Sequence, residues 1–100
     1  MGEPEFETSD RVRSDIKEIF SYGIDWFGEQ RALAYLDGLE TTFKHIAKWQ
    51  YVGVEDSNYK HGLRRYRYQS HYIFYTIQNP KMIYIEYLMH VKQKPRDFNF

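Results

Sequence analysis

Gly62-Leu63-Arg64-Arg65-Tyr66-Arg67-Tyr68-Gln69-Ser70-His71-Tyr72-Ile73-Phe74-Tyr75 is the stretch on which the fold turns. A turn glycine leads into a basic and aromatic run, about Leu63–Tyr68, of side chains that suit a pleated surface. Ser70-His71 opens a second run, about His71–Ile77, that is apolar almost throughout. Gln78-Asn79-Pro80-Lys81 reads as a tight turn. In a third run, about Met82–Met89, Ile83, Ile85, Tyr87 and Met89 alternate with Met82, Tyr84, Glu86 and Leu88. Both of its faces are largely apolar, which predicts a central strand covered on both sides, by the fold or by a partner.

Upstream the period changes from two to 3.6. Ser9 or Asp10 can cap a helix, because a short oxygen-bearing side chain accepts from the free N–H groups of the first turn. Val12, Ile16, Ile19, Phe20, Gly23 and Phe27 then form one stripe, and Gly28 ends it. A second stripe runs through Ala32, Leu36, Leu39, Phe43, Ile46 and Ala47, with Tyr35 alongside and Gly38 inside. That glycine costs about 1 kcal/mol relative to Ala and suggests close contact between helices, unless it is merely tolerated. So short a link predicts an antiparallel helix hairpin. Trp49–Gly62 reads as a connector, and Glu5–Thr8 as an edge strand at best, given Pro4 and the charges. The fold class is α+β: an N-terminal edge strand, then a helix hairpin packed on one face of a three- to four-stranded antiparallel sheet. Ile16, Ile19, Phe20, Leu36, Leu39 and Phe43 are expected against Ile73, Tyr75, Ile83 and Ile85. Residues 1–100 read as one domain, with 1–8 an edge strand or partly foreign residues and 92–100 a polar tail.

Composition narrows the function. One hundred residues make one small core, and 19% aromatics, ten Tyr and seven Phe among them, supply much buried area per residue. Without cysteine there is no disulfide and no thiolate metal site. His45, His61, His71 and His90 fall in no metal-binding spacing, so neither a metal nor a cofactor is expected. No apolar run nears the roughly 20 residues of a membrane helix, which makes a cytoplasmic protein the default. The net charge is zero. A bulk nucleic-acid binder carries a basic excess, so an anionic partner would have to meet a local patch. Lys60, Arg64, Arg65 and Arg67 form one such group, and Lys92, Lys94 and Arg96 a second.

Asp15-Ile16-x-x-Ile19-x-x-Tyr22, Trp26-Phe27-Gly28-x-Gln30, Ala34-Tyr35, Gly62-Leu63-Arg64, Ser70-His71-x-Ile73-x-Tyr75 and Leu88-x-His90 follow one another from about Ser9 to His90. In order and spacing they resemble the ParE branch of the ParE/RelE toxin superfamily. Two departures are Val54, where relatives often carry Arg, and a tail without their short Met-Asp ending. The resemblance implies a toxin of a type II toxin–antitoxin system that poisons DNA gyrase and is neutralised by a cognate ParD-like antitoxin in a hetero-oligomer. RelE-like relatives instead cut mRNA on the ribosome. Here Tyr72 stands where those ribonucleases usually place an Arg, and the segment after Leu88 lacks their Arg…Tyr or His-Tyr pair. No catalytic residue is therefore assigned. The expected contacts with gyrase or its DNA are Arg64, Arg65, Arg67, His90, Lys92, Lys94 and Arg96. The expected antitoxin contacts are Trp26, Phe27, Trp49 and Tyr51. A ribosome-dependent endoribonuclease and a non-toxic antitoxin-binding homologue are the alternatives.

Overall fold

The computed structural model describes residues 2–93. Strand β1 (Glu5–Thr8) is followed by α1 (Asp10–Phe27), α2 (Glu29–Lys48), β2 (Val54–Glu55), β3 (Arg64–Tyr68), β4 (His71–Asn79) and β5 (Met82–His90). The sheet has five strands in the order β1-β5-β4-β3-β2. This is the expected α+β plan with two additions. β2 forms inside the expected connector, and β1 joins β5 in parallel while every other pair is antiparallel.

The helix ends follow from the sequence. Ser9 Oγ accepts from Val12 N–H at 3.1 Å and donates to the Glu86 carbonyl at 2.9 Å, so one hydroxyl caps α1 and fixes it to β5. Gly28 separates the helices at φ +87°, where a side chain would be strained. Inside α2, a Cβ added to Gly38 would lie 2.1 Å from the Tyr68 hydroxyl. The glycine thus makes room for a sheet tyrosine, whose hydroxyl donates to the Tyr35 carbonyl at 3.0 Å.

Val12, Leu39, Phe43, Ile46 and Ala47 from the helices meet Ile73, Tyr75, Ile83, Ile85 and Leu88 from the sheet in the main core. Ile16, Ile19 and Leu36 are partly buried against it. Phe27, grouped with the buried stripe, is instead exposed, because it sits at the last position of α1, beyond the sheet.

β5 does not keep the simple alternation read from its sequence. Phe74 pairs with Tyr87 and Tyr75 with Ile85, which leaves Glu86 as an extra residue in a β-bulge. The bulge exchanges the faces. Ile83, Ile85 and Leu88 join the core under the helices, while Tyr87 and Met89 join Leu63 and Phe74 in a second cluster on the reverse face. The Glu86 carboxylate accepts from Lys60 Nζ at 3.0 Å and from Thr76 Oγ1 at 2.9 Å. Lys60 belongs to the β2–β3 loop, and Tyr59 of the same loop lies edge-on to Phe74. That loop covers part of the reverse face, so β5 is buried on both sides around Tyr87, while Met82 and Tyr84 stay half-buried.

Candidate functional site

Where the sheet end meets the hairpin turn, a groove of ≈ 1040 Å³ opens. Its floor holds His71 at the start of β4 and His90 at the end of β5. They are direct cross-strand partners with ring centroids 5.3 Å apart. Val91 N–H donates to the Ser70 carbonyl, so the two histidines form a pair without mutual backbone hydrogen bonds, the closer kind of pairing. Tyr35 from α2 reaches down to His71 Nδ1 at 2.6 Å. Burial first, and then the neighbouring His90, push His71 down to about 4. Burial raises the Tyr35 hydroxyl, against hydrogen bonds from Ser70 that lower it. With Ser70 donating to the Tyr35 oxygen, Tyr35 donates to His71, and the neutral imidazole carries its proton on Nε2. His90 Nδ1 accepts from Lys92 N–H at 3.1 Å, so a neutral His90 also carries its proton on Nε2.

The walls carry Asp15, Glu18 and Asp25 from α1, with Arg11 and Arg31. Asp15 Oδ2 accepts from Leu88 N–H at 3.4 Å, and desolvation raises its carboxyl above the ordinary 3.8. Arg11 stacks 3.7 Å over the Tyr87 ring and also donates to its hydroxyl. These features do not suit attack on a phosphate. The half-buried histidine is neutral and already bonded at Nδ1, and three carboxylates line the approach. Among the described residues, no three His, Asp or Glu side chains come together to hold a metal.

The basic residues singled out from the sequence do not form one patch. Strand pleating separates Arg64 from Arg65 and Arg67. Arg64 shares the helix side with Tyr66 and Tyr68, donates to the Gly53 carbonyl at 3.0 Å and stacks 5.1 Å over Tyr51. Arg65 on the reverse side pairs with buried Asp56 at 3.0 Å. Arg67 donates to the Gln69 carbonyl at 2.8 Å, within the β3–β4 turn. His90 lies in the groove and Lys92 just beyond β5, both exposed. Lys94 and Arg96 lie outside the described residues.

The four aromatics singled out are all exposed: Trp26 68%, Phe27 58%, Trp49 57% and Tyr51 74%. They stand in two places. Trp26 and Phe27 end α1, and Phe27 lines the groove mouth. Trp49 caps α2, with Tyr51 close behind. The helices run antiparallel, so their C-terminal ends lie a helix length apart, about 30 Å. Sequence reading missed Tyr22, 61% exposed and 5.8 Å from the Trp26 ring. Its i, i+4 spacing to Trp26 was the available signal. The Tyr35–His71 bond was also missed, because residues 36 positions apart give no local sign of contact.

The family described as "ParE toxin of type II toxin-antitoxin system, parDE" matches residues 6–95. The chain belongs to the ParE toxin family. Toxin ParE1 of Caulobacter vibrioides is 31% identical over 72 residues, which span 72% of this chain and 75% of that protein. The solved structure titled "Chromosomal ParDE TA system from P. aeruginosa" superposes with a TM-score of 0.75 at 14% identity. The match covers 88% of this chain and 96% of that one, and shows the same fold. Among the described residues of this ParE-family chain, no helix is long and apolar enough to cross a membrane.

Proposed function

We propose that this ParE-family toxin inhibits DNA gyrase by binding, with no catalytic residue of its own, and that a cognate ParD-like antitoxin neutralises it in a cytoplasmic hetero-oligomer. The groove chemistry is the observation that carries the reading. Carboxylates Asp15, Glu18 and Asp25 line the cleft that a ribonuclease would need for phosphate. Its half-buried histidine is kept neutral and held by Tyr35.

The antitoxin covers Trp26 and Phe27, with Tyr22, at the groove mouth. One that also covers Trp49 and Tyr51 runs the length of the hairpin. Gyrase or its DNA is met by Arg65, Arg67 and Lys92, with Lys94 and Arg96 continuing the basic segment and His90 and Arg64 on the helix side. Such binding energy is shared among contacts, so alanine substitutions weaken inhibition in graded steps. A catalytic group would respond as a single all-or-none position.

The test adds the purified chain to gyrase, ATP and plasmid, and separately to ribosomes programmed with mRNA. Accumulated cleaved DNA with intact mRNA is the expected result. Ribosome-dependent mRNA cleavage that His90→Ala abolishes in a folded protein would replace this reading with the endoribonuclease. Inactivity in both assays, with antitoxin binding kept, would leave the non-toxic homologue.

A further inference from the structure

A second surface lies at the far end of the hairpin, away from the groove. The chain leaves α2 through Trp49, and Val52 N–H donates to the Trp49 carbonyl at 2.9 Å. That bond closes a four-residue turn, so Trp49 and Tyr51 are held within a few ångströms of one another at the backbone. Both rings are more than half exposed. Each carries a cation on one face: Lys48 Nζ stands 5.6 Å over Trp49, and Arg64 5.1 Å over Tyr51. Lys44, one helical turn before Lys48, is also exposed. The nearby carboxylates are Glu55, whose partner on β3 is Arg64, and Glu40, one helical turn before Lys44. The local balance is positive although the chain is neutral.

We infer that this surface binds single-stranded nucleic acid, with unpaired bases stacked on Trp49 and Tyr51 and phosphates held by Lys44, Lys48 and Arg64. Two features select that ligand. Exposed rings backed by cations offer a π platform inside a positive field, the combination that captures stacked bases and their backbone together. A duplex hides its base faces and would use only the charge. A basic protein segment would meet like charge. The surface shares Arg64 with the proposed gyrase or DNA contacts and Trp49 and Tyr51 with the proposed antitoxin contacts, but its test concerns the chain and an oligonucleotide alone.

The chain has two tryptophans. Trp26→Phe, at an exposed site, therefore leaves Trp49 as the only indole reporter. The full chain carrying this substitution is titrated with a twelve-nucleotide oligothymidylate, with a duplex of equal length, and with heparin as a charge-only polyanion. The expected result is saturable quenching of Trp49 by the single strand, with affinity at least tenfold above the duplex and no comparable quenching by heparin. The affinity falls with salt at a slope of about −2, the product of three cations and about −0.7 per phosphate on a single strand. Tyr51→Ala lowers the affinity about tenfold, and Lys44→Glu with Lys48→Glu removes it. These side chains lie outside the core, and an unchanged circular dichroism spectrum and Tm verifies the fold of each variant. Absence of quenching at low salt would overturn the inference and leave the surface to a protein partner. So would duplex or heparin binding as tight as the single strand, together with indifference to Tyr51→Ala.

Discussion

On one face of the sheet lie two helices of 18 and 20 residues. On the other lies the β2–β3 loop, from Asp56 to Gly62, folded over Leu63, Phe74, Tyr87 and Met89. The helices exclude water by apolar contact along two stripes, to which bonds from side chains such as Asp15 and Tyr35 are added. The loop has no stripe. It is anchored by polar straps: Lys60 on Glu86, Arg65 on Asp56, and Asp56 N–H on the Leu63 carbonyl at 2.8 Å. Leu63, Phe74, Tyr87 and Met89 are buried there, and charged groups hold the loop over them. The reverse face should therefore open first when stability is lowered.

The comparison breaks most readily in the helix-side core. Leu39 is 1% exposed. Leu39→Ala should cost about 2–5 kcal/mol by urea unfolding, from lost transfer energy and the cavity left behind. Leu63, 0% exposed on the reverse face, should lose less when replaced by Ala, because the loop can settle into the space while the helices cannot. Equal losses at the two positions would show that the faces are equally rigid.

A second test uses protons. His71, on the helix side, has its imidazole lowered from 6.5 to about 4, first by burial and then by His90. Between those values the unfolded chain takes up a proton that the folded chain refuses. The stability His71 confers is therefore complete above pH 6.5 and is lost as pH falls towards 4. The full span is worth about 3 kcal/mol at most. Stability curves of the wild type and His71→Gln should converge as pH drops through this window. Parallel curves would refute the assignment.

Gly38→Ala comes next. The new methyl meets the Tyr68 hydroxyl, and overpacking of this kind costs about 1–3 kcal/mol, offset by about 1 from the better helix former. Adding Tyr68→Phe should recover part of the loss, measured as Tm, since it removes the atom in closest conflict. Glu86→Gln is the smallest. It weakens the strap to half-exposed Lys60 and should cost about 1 kcal/mol, less at high salt. Its effect should appear as faster amide exchange in the β2–β3 loop and on the reverse face, with the helix side unmoved.

The parts of this fold that are local were legible in the sequence. Both helices, the Ser9 cap and the Gly28 break have signals within a few residues, and so do the three meander strands. β2 is two residues long, too short to express any alternation. The parallel pairing of β1 depends on where α1 and α2 return the chain. The bulge at Glu86 was hidden because both faces of β5 are apolar, so the alternation reads the same whether or not one residue slips out. At the candidate site, Trp26, Trp49 and Tyr51 were expected on a partner-binding surface and are exposed, whereas Phe27 had also been placed in the buried stripe. Their division between two ends of the hairpin follows from the antiparallel helices that the short link at Gly28 already implied. The arginines of β3 were grouped by neighbourhood in sequence, which pleating undoes.

Ser9, Asp15 and Arg13 have a consequence for how many neighbours the sheet can accept. β1 pairs only as far as Ile85, and the remaining outer edge of β5 is met by side chains of α1 at the Glu86 carbonyl and the Leu88 N–H. Arg13 likewise donates to the Thr8 carbonyl at 2.8 Å. What is left of that edge is four residues following Pro4, two of them Glu. On the opposite side β2 covers only Arg64 and Arg65, so among the described residues no strand lies beyond Tyr66–Tyr68. In the language of polymers, one end of the described sheet is blunted by a short, acidic strand and by side-chain caps, and the other keeps a short open stretch.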